Sequence, residues 1–149
     1  MMLKATITQH MREAMRGKDA RRLAAIRLLL AAIQQREVDE RRELSDADVV
    51  GLVERLIRQR RESVAQYEAA GRRDLADNER FEIEVLQGYL PQPLSEGELQ
   101  ALIERAVTDT GAAGPKDMGR VMAALKPQIA GRAEMGRVSA LVKARLGAG

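Results

Sequence analysis

A chain of 149 residues with 45% hydrophobic content can bury a core of one ordinary domain or two small ones, and its 32% charged residues suit long helical surfaces. There is no Cys, which excludes a disulfide framework and thiol chemistry, and no apolar run near the length of a spanning helix, so no membrane partner is expected. The net charge of +3 is unevenly placed: residues 112–149 carry seven Lys+Arg against two Asp+Glu, whereas residues 1–90 carry 17 against 16.

Ala, Leu, Arg, Glu and Gln dominate and strand-like β-branched runs are scarce, so an all-α fold is expected. Leu3, Ile7, Met11 and Met15 mark a first helix that ends at Gly17. Although this basic, amphipathic N-terminus imitates a transit peptide, Glu13 and Asp19 interrupt it and its apolar period runs on. It reads as mature protein of a bacterial-type cytoplasm. Asp19 suits the N-cap of a second helix whose inward stripe is Leu23, Ile26, Leu30 and Ile33. Ser45 and Asp48 have capping-box spacing ahead of a third helix, with Val49, Leu52, Val53, Leu56, Ile57, Val64 and Tyr67 inward and Gly71 at its end. The cluster Arg58-Gln-Arg-Arg61 is expected to pair along its own helix with Glu54, Glu62 and Glu68, a second RNA contact being the rival reading.

A fourth helix holds Leu75, Phe81, Val85, Leu86 and Tyr89, and Pro91-Gln-Pro93 cannot continue it. The domain boundary is placed there, giving an N-terminal four-helix array over 1–92 and a C-terminal three-helix bundle over 93–149. Ser95 and Glu98 open a fifth helix with Leu99, Leu102, Ile103 and Val107 inward, and Gly111-Ala-Ala-Gly114 follows as a connector. The last two helices are expected to be split by Pro127 and Gly131.

These last helices are nearly one sequence written twice. Asp117-Met-Gly-Arg-Val-Met-Ala-Ala-Leu-Lys126 recurs 17 residues later as Glu134-Met-Gly-Arg-Val-Ser-Ala-Leu-Val-Lys143, with six of ten positions identical. On a helical wheel, Met118, Val121, Met122 and Leu125 face inward in the first, and Met135, Val138, Leu141, Val142 and Leu146 in the second. Lys116, Gly119, Arg120 and Ala123 then lie outward, as do Arg132, Gly136, Ala140 and Lys143. Gly131 and Arg132 are read as a helix start whose amides could meet phosphate. Two readings stay open: a smooth cationic strip for a polyanion's backbone, or small residues letting helices cross closely, Gly119 against Gly136.

Four segments carry a resemblance: Gln66-Tyr-Glu-Ala-Ala-Gly-Arg-Arg-Asp-Leu-Ala76, Glu82-Ile-Glu-Val-Leu-Gln-Gly-Tyr-Leu-Pro91, Met118-Gly-Arg-Val-Met122 and Gly131-Arg-Ala-Glu-Met-Gly136. Spread in order over most of the chain, they resemble the YqeY family, whose C-terminal half is shared with the tail of GatB, the tRNA-engaging subunit of the glutamyl/aspartyl-tRNA amidotransferase. The resemblance implies a two-domain helical fold and a place beside tRNA, as a freestanding accessory to an amidotransferase or an aminoacyl-tRNA synthetase. It carries tRNA contact onto Lys116, Gly119, Arg120, Lys126, Gly131, Arg132, Gly136 and Lys143. The ligase activity attached to such families, carbon–nitrogen bond formation with glutamine as amide donor, finds no catalytic residue here to land on.

An amidotransferase needs a nucleophile and a phosphate site. Ser45 and Ser95 look like caps, Ser63 and Ser139 lie outside any Gly/Ser-rich stretch, and no Gly-rich phosphate loop exists. His10 falls on the apolar side of the first helix, as an edge-of-core residue. Glu79, Glu82 and Glu84 form the densest acidic group, but Glu82 and Glu84, two residues apart, point to different sides of a helix, so the group suits a solvated face or a basic partner rather than a catalytic pair. No catalytic residue, metal or cofactor is assigned. A protein–protein adaptor docking through the Gly/Ala faces, or a ligase subunit active only in complex, are the rival functions.

Overall fold

The computed structural model describes residues 2–148, and these form seven α-helices and one short 3-10 turn, with no strand among them. Four helices precede the proline pair, α1 (Leu3–Arg16), α2 (Ala20–Glu40), α3 (Asp46–Ala69) and α4 (Arg73–Gln87); three follow it, α5 (Glu96–Thr110), α6 (Met118–Ile129) and α7 (Met135–Ala148). The all-α expectation, four helices and then three, holds. The chain divides into two compact units between Leu90 and Pro91. No helix among the described residues is long and apolar enough to cross a membrane.

In unit 1 the local signals work as read. The Asp19 carboxylate accepts the Arg22 N–H at 3.2 Å and opens α2. Ser45 and Asp48 form both bonds of a capping box at the start of α3. Arg42 adds an ion pair of 2.7 Å to Asp48, and with the capping bonds holds that carboxyl well below its usual range. Gly71, at φ +72°, closes α3 in the left-handed region where a side chain is strained.

Two apolar stripes differ from expectation. In α1, Ile7 and Ala14 are buried while Met15 is 49% exposed. A four-residue spacing overshoots the 3.6-residue turn by about 40° a step, so by the third step the side chain has left the core. In α2 the buried residue of the Leu28-Leu-Leu30 run is Leu29, with Leu30 at the edge of the core. A run of identical residues carries no phase, so only packing could choose.

The Arg58–Arg61 expectation is corrected as well. Arg60 pairs not within α3 but across to α4, with Glu79 at 3.3 Å and with the buried Glu82, and Glu68 pairs with Arg80. Helices joined by the tight Gly71 turn lie side by side, so a long side chain reaches the neighbour as readily as its own next turn. Of the acidic trio, Glu79 and Glu82 thus have their basic partner inside the chain, and Glu84 does not share it.

In unit 2, Ser95 and Glu98 cap α5 as expected, and Gly111 ends it at φ +66°. Leu99, Ile103, Val107, Val121, Leu125, Ile129, Val138, Val142 and Leu146 make the core. Pro127 does not split the last helices: it lies inside α6, which runs on to Ile129. Near the helix end a proline forfeits one backbone bond, to the Ala123 carbonyl, and its fixed φ still fits the helix. The break comes at Ala130 and Gly131.

Candidate nucleic-acid interface

The sequence repeat is also a repeat of exposure. From Met118 to Lys126 and from Met135 to Lys143, every aligned pair has the same degree of burial. Val121 and Val138 are fully buried, as are Leu125 and Val142. Gly119, Ala123 and Lys126, separated by four and three residues, share one exposed face of α6; Gly136, Ala140 and Lys143 share the equivalent exposed face of α7. The apolar side of each helix is held by the unit 2 core, and that fixes which side is left outside.

A Cβ added at Gly119 would meet nothing within 4 Å, and one at Gly136 only the Glu134 Oε1 atom at 3.5 Å. The close Gly119–Gly136 crossing is therefore absent. Both glycines are the second residue of their helix, in the first turn, where backbone N–H groups lack a partner within the helix. They are not mid-helix, so their propensity cost is small. Gly119→Ala and Gly136→Ala should each be neutral or stabilising by at most a few tenths of a kcal/mol; a loss of stability in urea unfolding would revive the packing reading.

The eight residues named from sequence do not form one uniform strip. Lys116 is exposed but belongs to the 3-10 turn Pro115–Asp117 rather than to α6. Arg120 is exposed yet tethered: its guanidinium donates to the Thr110 carbonyl at 2.9 Å and to Asp117 at 2.8 Å. Gly131 and Arg132 do not start a helix, since α7 begins at Met135. Gly131 is buried at φ +73° and turns the chain, so it offers no surface. Half-buried Arg132 ties down the segment after Pro91, its Nε donating to the Gln92 carbonyl and its own carbonyl accepting the Leu94 N–H, both at 2.9 Å. Lys116, Lys126 and Lys143 make no hydrogen bond or ion pair through their side chains among the described residues. Arg137 and Arg145, by contrast, pair with Glu96 and Glu104 of α5.

Asp117 is the residue that sequence reasoning undervalued. Its buried carboxylate accepts the Ala113 N–H at 2.8 Å and the Gly114 N–H at 3.3 Å, besides the Arg120 guanidinium, and so holds the second half of the Gly111–Gly114 connector. The acid three residues after a glycine-bounded loop was the available signal. Those bonds, the Ala113 amide first, hold its carboxyl at about 2 against an ordinary 3.8. A carboxyl depressed by folding stabilises fully above its unfolded value and loses that contribution as pH falls to the folded one. Unit 2 should therefore weaken between pH 3.8 and about 2. Asp117→Asn should flatten that part of the curve of melting temperature against pH, and an unchanged slope would show that the contact contributes nothing.

No side chain in this region forms a nucleophile–base pair. Ser95 is a cap, and in unit 1 Ser63 bonds back to the Gln59 carbonyl at 3.3 Å. His10 sits half-buried at the edge of the unit 1 core, sharing a hydrogen bond of 2.8 Å between its Nδ1 and the Tyr89 hydroxyl. No cluster of His, Cys, Asp and Glu among the described residues could hold a metal.

Two similar proteins are fungal. Altered inheritance of mitochondria protein 41, mitochondrial, of Lachancea thermotolerans is 32% identical over 114 residues, 74% of this chain and 61% of that protein. Its namesake in Kluyveromyces lactis is 31% identical over 115 residues, 74% of this chain and 62% of that protein. The chain thus spans about three fifths of the length of these curated relatives. The family model described as Yqey-like protein matches residues 4–146, and the chain belongs to that family.

Proposed function

We propose that this protein is a GatB/YqeY-type accessory protein that binds the phosphate backbone of tRNA through unit 2, in connection with tRNA-dependent amidotransfer, and is not catalytic by itself. One observation carries the reading: two equivalent helix faces of unit 2 each present an exposed glycine, an exposed alanine and an exposed lysine without an ion-pair partner among the described residues. Bare backbone allows a rigid polyanion to come close, and unpaired cations supply the attraction. Lys116, Lys126 and Lys143 lead the contact, Gly119 and Gly136 clear the way, and Arg120 contributes from its tethered position. Selectivity comes from the shape of the RNA body rather than from base edges. The protein works in the cytoplasm beside an amidotransferase or an aminoacyl-tRNA synthetase.

The test is an electrophoretic-shift titration of the full chain with total tRNA at about 50 and 200 mM salt. Affinity should fall steeply with salt. Absent or salt-insensitive binding overturns the reading, and retention of a protein partner after RNase treatment of the lysate would favour an adaptor docking on the same faces.

A further inference from the structure

The segment Glu82–Pro91 is among the chain's most distinctive wording, and the unit 2 surface makes no use of it. Within unit 1 it walls, with the adjoining Phe81, a cavity of about 280 Å³: Glu84, Val85, Gly88 and Tyr89 line it, facing His10 of α1 and Arg22 of α2. Gly88 contributes bare backbone to that wall. The His10 and Tyr89 rings lie 5.5 Å apart between centroids, so the hydrogen bond between them is backed by ring contact. Burial pushes the Tyr89 phenol further up from an ordinary value that already leaves it neutral at neutral pH. Arg21 covers the Phe81 ring, its guanidinium carbon 4.1 Å from the ring centroid, and fixes that side of the cavity.

The charges on the wall are opposite, and neither is neutralised by an opposite charge. The exposed Glu84 carboxylate makes neither hydrogen bond nor ion pair among the described residues. Half-buried Arg22 hydrogen-bonds the Tyr89 hydroxyl but has no carboxylate partner among them. A ligand of one sign would satisfy one of them and repel the other, whereas a small molecule bearing both charges meets both. The volume lies just below the range of about 300–1,000 Å³ usual for drug-sized ligands, which suits something smaller.

We propose that this cavity binds a free α-amino acid, its carboxylate on Arg22 and the Tyr89 hydroxyl, its ammonium on Glu84. So small a ligand, with two charged contacts in a partly open site, should have a dissociation constant near 1 mM. The experiment is protein-observed NMR on the labelled full chain, titrated with the standard α-amino acids and with their N-acetylated and C-amidated forms. At least one free amino acid should give saturable shifts at His10, Gly88 and Tyr89, and capping either end should weaken it about tenfold or more. Glu84→Gln should abolish the preference for a free ammonium, and Arg22→Met the preference for a free carboxylate, with the melting temperature confirming that each variant folds. No saturable shift by about 10 mM, or capped and free forms binding alike, overturns the proposal.

Discussion

Replacing Arg60 by Ala should lower the stability of unit 1 by about 2–4 kcal/mol, a large loss for a polar position. Its side chain is 18% exposed, and it lies between Glu79 and Glu82, which are 18% and 11% exposed in their side chains. Without the guanidinium, two largely buried carboxylates lie close together with no counter-charge, the circumstance in which losing one partner of a buried pair costs most. The residual exposure places the expected loss somewhat under the figure for full burial. Arg60 also has a buried Nε with no partner, so the native arrangement is itself imperfect. Arg60→Met with Glu82→Gln should consequently recover more than half of the loss, because the apolar stem is kept and one stranded charge is removed. Urea unfolding of the single and double variants gives the numbers. A loss below about 0.5 kcal/mol for Arg60→Ala would mean that the triad behaves as an ordinary surface ion pair.

Charge reversal of Lys126 and Lys143 together should reduce tRNA affinity by about 10- to 100-fold at low salt and make the salt dependence shallower, by about one in slope for each phosphate no longer neutralised. The two lysines occupy equivalent places on α6 and α7 and support nothing else in the fold, so helicity and melting temperature should stay as they were. Arg120→Glu and Arg132→Glu would be the wrong variants. Arg120 holds the Thr110 carbonyl and Asp117, and Arg132 holds the Gln92 carbonyl, so their loss would loosen unit 2 along with any RNA contact. Unchanged affinity and slope in the Lys126→Glu, Lys143→Glu variant would remove these faces from tRNA binding, even if the whole chain binds.

What could be read without coordinates was whatever a few consecutive residues decide among themselves. Asp19, Ser45 and Ser95 were legible as caps because a cap is a bond to an amide two or three residues on. Gly71 was legible as a stop, and Gly111 as the start of a connector, because a left-handed φ excludes most side chains. The repeat gave the inward and outward sides of α6 and α7 correctly, since the same apolar spacing occurred twice. It could not show that Gly131 is interior or that Arg132 bonds back to Gln92 across 40 positions of sequence.

By itself, then, the sequence determined the helical class, the seven helices, the caps of α2, α3 and α5 and the two lysine-bearing faces near the C-terminus, all consequences of local hydrogen bonding and of periodicity along one helix. Only the tertiary structure decided which of Leu28, Leu29 and Leu30 is interior, that Arg60 bridges to α4, which cations are left without partners, and that Glu84, Tyr89, His10 and Arg22 share one cavity. Each of those depends on which side chain of a distant segment arrives opposite, and neither a cap nor a period along one helix contains that information.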